Sequence, residues 1–65
     1  MEGKVLFKTF ASEIEATVIQ LKLEENEIPS WLLNKKDSSY LTFGEIELYI
    51  NDDHVTQANQ VLSEL

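Results

Sequence analysis

An α+β fold with the element order β-α-β-β-α is what this 65-residue chain predicts, and three observations predict it. Period-two apolar runs at residues 5–10, 31–33 and 46–50 read as strands. Helical spacing of apolar residues over 12–25 and again over 53–65 reads as two helices. The connections leave little spare chain apart from one stretch, 35–44, so residues 1–65 are expected to form one small domain.

In the first strand Val5, Phe7 and Thr9 point one way, and Leu6, Lys8 and Phe10 the other. The face with Phe7 is expected to meet the core. Both faces carry apolar residues, whereas a strand covered on one side alternates more cleanly.

Ser12 is a good helix N-cap, and Glu15 three residues on completes a capping box. Glu13 and Glu15 then sit at the positive end of the helix. The helix is expected to end near Glu25 or Asn26, with Asn26 taking the left-handed conformation and Pro29 barring continuation. At about 100° per residue it has two apolar stripes. Ala16, Ile19 and Leu23 form one, and Ile14, Val18 and Leu21 lie nearly opposite. Only one stripe can face a sheet; the other needs the second helix, the loop or another molecule, and Ile14, Val18 and Leu21 are expected as a self-association surface.

Ser30 to Asn34 reads as a short strand around Trp31, Leu32 and Leu33. The stretch 35–44 that follows is long for a hairpin connection, and long loops in compact domains are disproportionately functional. In the third strand Ile46, Leu48 and Ile50 face the core while Glu45, Glu47 and Tyr49 face away. Asn51 or Asp52 is expected to cap the last helix, whose apolar stripe is Val55, Ala58, Leu62 and Leu65.

A right-handed crossover makes the first two strands parallel, and the third pairs antiparallel with its neighbour. Placing the third strand between the first two satisfies both. The product is a ferredoxin-like arrangement: a three-stranded antiparallel sheet with both helices on one face. The chain stops at Leu65, so the final strand of the complete unit is expected to be absent and the first strand to be an open edge. The opposite sheet face is expected to carry Leu6, Phe10, Glu47 and Tyr49.

A domain of this size buries only about 60% of the surface that its unfolded chain exposes. Cysteine is absent, which removes disulfides and thiolate metal sites as supplements and leaves oligomerisation, so a homodimer or other homo-oligomer is expected. The charge of −7, from 12 acidic and 5 basic residues, speaks against nucleic acid and anionic membranes as partners. No signal-peptide core or apolar span appears, so a cytoplasmic setting is expected.

Catalytic, cofactor and metal sites are not expected. Asp52, Asp53 and His54 are adjacent at a helix start, where their side chains diverge and where capping already accounts for the carboxylates. His54 has no nucleophile at a recognisable spacing, and the two glycines stand far apart rather than in a phosphate-cradling loop. Trp31, Tyr40, Phe43 and Tyr49 bracket the long loop. They read either as an aromatic contact site for a ligand or protein, or as core filling that pins the loop. Lys35 and Lys36 add a small basic spot, an anion contact or a solvated turn.

The run from Phe10 to Pro29, with its Ile14-Glu15-Ala16 triplet and its Glu25-Asn26-Glu27-Ile28-Pro29 ending, resembles the opening helix of a small family described as "putative prokaryotic signal transducing protein". The run from Glu47 to Leu62 is similar to that family's last strand and helix, with Ala58 and Leu62 on the buried stripe. The chain departs from the common form at Ser12-Glu13, where an Asp-Pro-like start is frequent, and at Asn51, where proline is frequent. The resemblance implies a ferredoxin-like fold related to the nitrogen-regulatory PII proteins and a bacterial, cytoplasmic setting. It implies no defined activity, and the PII nucleotide loop has no counterpart here. Together these readings give a non-enzymatic binding or regulatory module that self-associates and contacts a ligand or protein; the alternative is a structural domain that docks a partner through a strand edge.

Overall fold

The computed structural model describes residues 3–34 and 46–64. Its elements are β1 (Lys4–Phe10), α1 (Glu13–Glu25), β2 (Ser30–Asn34), β3 (Ile46–Asn51), a 3-10 turn (Asp52–His54) and α2 (Val55–Ser63). The sheet order is β1-β3-β2, with both outer strands antiparallel to β3. The strand last in sequence is thus the middle one, and β1 and β2 are parallel to each other. This is the ferredoxin-like α+β arrangement that the periodicities predict.

One face of β3 supplies the floor of the core. Ile46, Leu48 and Ile50 are buried, and they alternate with half-buried Glu47, Tyr49 and Asn51. Ala16 and Leu23 of α1, Ala58 and Val61 of α2, Ile28 and Phe10 complete the buried cluster. Small residues on both helices let the backbones come close to the sheet, and the thickness of the domain is only 14 Å between outermost Cα atoms.

The stop of α1 differs from expectation in one respect. Asn26 keeps a negative φ of −104°, and Glu27 adopts the left-handed conformation at φ 62°. The reason lies in the hydrogen bonds. Glu27 N–H donates to Glu24 C=O at 3.0 Å and Ile28 N–H to Leu23 C=O at 2.9 Å, the paired bonds of a Schellman motif. That motif requires the left-handed residue one place beyond Asn26, and it brings Leu23 and Ile28 together, both fully buried. At the other end Ser12 Oγ accepts from Glu15 N–H at 3.4 Å, as the capping pattern predicts.

The expected alternation of β1 also fails partway along. Leu6 pairs with Tyr49 but Lys8 pairs with Leu48, so the register slips by one at Phe7. A slip of one residue moves every later side chain to the other face. Phe10, expected on the open face, lies opposite Ile46 and is only 5% exposed. Phe7 still packs against the core. The mixed polarity of this strand is therefore a change of phase, not two apolar faces.

The last helix starts later than expected. Asp52–His54 form the 3-10 turn, no side chain caps it, and α2 begins at Val55. Asp52 N–H donates instead to Gly3 C=O at 2.9 Å, tying the start of β1 to the end of β3; Gly3 itself has φ 75°, which glycine adopts without strain. In α2 it is Ala58 and Val61 that are buried, with Val55 and Leu62 packed beside them. Leu65 lies outside the described residues, as does the stretch 35–45 with Lys35, Lys36, Tyr40 and Phe43.

Candidate functional site

The two expected contact surfaces fall on opposite broad faces of the domain. The first is the sheet face turned away from the helices. Antiparallel pairing puts directly opposed residues on the same face. Because Ile46, Leu48 and Ile50 face inward, the rows Leu6–Tyr49–Trp31 and Thr9–Glu47–Leu33 face outward. Leu6 is 49% exposed, Trp31 39% and Leu33 43%. Three large apolar side chains are thus open to solvent on a surface of two rows.

The polar groups of this face are arranged around the aromatics. Lys4 reaches over the Trp31 ring, its Nζ 4.3 Å from the ring centroid, a cation–π contact that spans β3. Tyr49 donates its hydroxyl proton to Glu47 Oε1 at 2.7 Å. That bond holds the phenol in its protonated form and, with some desolvation and the nearby carboxylate charge, raises the Tyr49 pKa above its ordinary value of 10.0. The face therefore offers a flat aromatic and aliphatic centre, one cation and one carboxylate-bound hydroxyl. Such a set suits contact with another surface.

Of the expected contact residues, Trp31 and Tyr49 are brought together, as direct cross-strand partners in the middle of this face. Lys35, Lys36, Tyr40 and Phe43 belong to the stretch that is not described. Sequence reasoning missed Lys4 and Leu33. The signal for Leu33 is the alternation within Ser30–Asn34: once Trp31 faces out, Leu33 must too. Lys4 carries no such signal, because its contact reaches across β3 to another strand.

The second surface is the outer stripe of α1. Ile14 is 77% exposed, Val18 54% and Leu21 54%, while the opposite stripe is packed onto the sheet. Glu13 Oε2 accepts from Asn34 Nδ2 at 2.9 Å and Gln20 Nε2 donates to Ser30 C=O at 3.3 Å, which fix the helix's roll over β2. A hollow of about 420 Å³ opens between this stripe and the end of β1, with Phe10, Ile14, Val18 and Ile19 as its apolar walls and Lys8 and Glu15 at the rim. Its size is that of a small-ligand site, but it lies away from Trp31 and Tyr49.

The Asp52–His54 turn gives no functional geometry. His54 is half-buried with its Nδ1 enclosed and unbonded, and among the described residues no three acidic, histidine or cysteine side chains are grouped to hold a metal. No helix among the described residues is long and apolar enough to cross a membrane.

Neither a curated protein nor a solved structure matches the chain. A family model does match, over residues 5–65, which takes in every strand and helix just described apart from Lys4 at the start of β1. The chain belongs to the family described as "Putative prokaryotic signal transducing protein".

Proposed function

We propose that the chain is a non-enzymatic binding module of a signalling system. It self-associates through one broad face and contacts a ligand or protein partner through the other. The observation that carries this reading is the open sheet face: Leu6, Trp31 and Leu33 remain exposed there, while Ile46, Leu48 and Ile50 on the other face are buried as core. Exposed apolar residues scattered singly need no explanation, but three on the two outer strands around a half-buried tyrosine of the middle strand form a patch. Trp and Tyr at the centre with Lys4 beside them are also the residue types enriched in contact surfaces. The family description supports a signalling setting in its coarse form.

Docking through the edge of β1, the alternative, has less support. The register slip at Phe7 bends that edge, and Lys4 and Lys8 stand along it. Both are devices by which natural sheets discourage strand addition.

Trp31 is the only tryptophan, so its emission reports directly on the proposed face. Nucleotides, metal ions and candidate peptides are to be screened by thermal shift, with Trp31 emission read in parallel. A ligand held at 100 times its dissociation constant adds about 2.7 kcal/mol of stability. A binder that raises the melting temperature and shifts Trp31 emission, both lost in Leu33→Ser, supports the reading. Binding that leaves Trp31 unchanged places the site elsewhere and contradicts it.

A further inference from the structure

We propose that the outer stripe of α1 is covered by α1 of a second copy of this chain, packed antiparallel about a two-fold axis near Val18. The inference rests on the self-association just proposed and specifies its geometry.

Three features of the helix fit a second copy. The first is spacing. Ile14, Val18 and Leu21 follow one another by four and then three residues, the alternation that keeps a seam of side chains facing a partner helix. Val18 is near the middle of the thirteen-residue helix. Reversing a second copy about it sets Ile14 near the partner's Leu21, and Leu21 near the partner's Ile14. The stripe is its own complement.

The second is shape. Val18 forms part of the wall of three separate hollows on this surface, one toward β1, one beside Glu13 and Thr17, and one beside Lys22 and Glu25. Hollows on either side of a central valine are what the flanking side chains of a facing helix would enter.

The third is charge. The chain carries −7 overall, so association of two copies is opposed at long range. Glu15 and Lys22 lie seven residues apart on one flank of the stripe. In the antiparallel arrangement each Glu15 lies beside the partner's Lys22, giving two opposite-charge pairs. Antiparallel packing also sets the positive end of each helix against the negative end of the other. Among the described residues Lys22 pairs with Glu25, three residues on, at 3.7 Å with both side chains substantially exposed, an interaction readily exchanged. A seam one short helix long falls below the about 800 Å² per partner of a standard interface, so the dimer is reversible.

The test uses the full chain in three forms: unaltered, Glu15→Lys and Lys22→Glu. Sedimentation equilibrium measures association for each and for an equal mixture of the two variants. Each variant alone places like charges together on both sides of the axis and is expected to dimerise roughly tenfold more weakly. The mixture restores both attractive pairs and is expected to form a heterodimer as tight as the unaltered dimer. In a separate arm Val18→Cys, the only thiol present, is expected to cross-link to its counterpart on mild oxidation, and Leu33→Cys is not. If the unaltered chain dimerises but neither charge change weakens it and Cys at position 18 does not cross-link, the α1 seam is wrong while self-association stands. If the unaltered chain stays a monomer at its highest soluble concentration, both fall.

Discussion

Glu27 carries the clearest residue-scale strain. It is the only non-glycine residue among those described with a positive φ, and it holds the position where helices most often place glycine. The left-handed conformation costs a residue with a Cβ about 1–2 kcal/mol. Glu27→Gly is therefore expected to stabilise the domain by about 1 kcal/mol, part of the relief being offset by the greater freedom of glycine in the unfolded chain. In a domain of this size that gain raises the melting temperature by about 4–8 °C. Thermal unfolding followed by circular dichroism reads it directly, and an unchanged or lower midpoint would show that the Glu27 side chain compensates the strain. Residue-scale features were unevenly legible in the sequence. Ser12 as cap followed from its type and from Glu15. The shift of the left-handed residue from Asn26 to Glu27 did not, because asparagine tolerates that conformation better and nothing local overrides the preference. What overrides it is tertiary: burying Ile28 against Leu23 demands the Schellman bonds, and those bonds set the turn one residue later.

At the scale of elements, β1 shows how a single inserted residue reverses a sequence reading. Leu6 and Phe10 share parity and would share a face in a regular strand. The slip at Phe7 separates them, so Leu6 lies on the open face and Phe10 in the core. Phe10→Ala is expected to cost about 3–5 kcal/mol through loss of buried area and a residual cavity. That approaches the whole stability expected of so small a domain, so the variant unfolds wholly or largely at room temperature. Leu6→Ser, on the other face, is expected to cost less than about 1 kcal/mol. Urea unfolding of the two variants checks the pair; equal losses would show that β1 runs without the slip. Strand existence, pairing and the central place of β3 were legible, since period two and chain connectivity leave few arrangements. The slip was not, because its signature is only the mixed polarity of a seven-residue strand, which also fits a strand covered on both faces. The start of α2 was overrun for a related reason: Asp52, Asp53 and His54 have helix-start composition, and the 3-10 turn uses the same composition.

The whole molecule is a thin slab, a sheet roofed by two helices, with unpartnered apolar residues on both broad faces. The outer stripe of α1 was legible because a helix with two apolar stripes has only one sheet to meet. The candidate face on the sheet was legible in part: Tyr49 and Glu47 follow from the alternation of β3 and Leu33 from that of β2 once Trp31 faces out, while the placing of Trp31 and Lys4 beside Tyr49 depends on register, which no local pattern encodes. The proposed contacts use two separate surfaces, one for a second copy and one for a partner. Acrylamide quenching of Trp31, followed from dilute to concentrated chain across the range in which sedimentation detects dimer, tests that separation most directly. If the copies meet on the helix side, Trp31 is expected to remain as accessible in the dimer as in the monomer. Protection of Trp31 rising in step with the dimer would contradict it, by showing that the copies meet through the sheet.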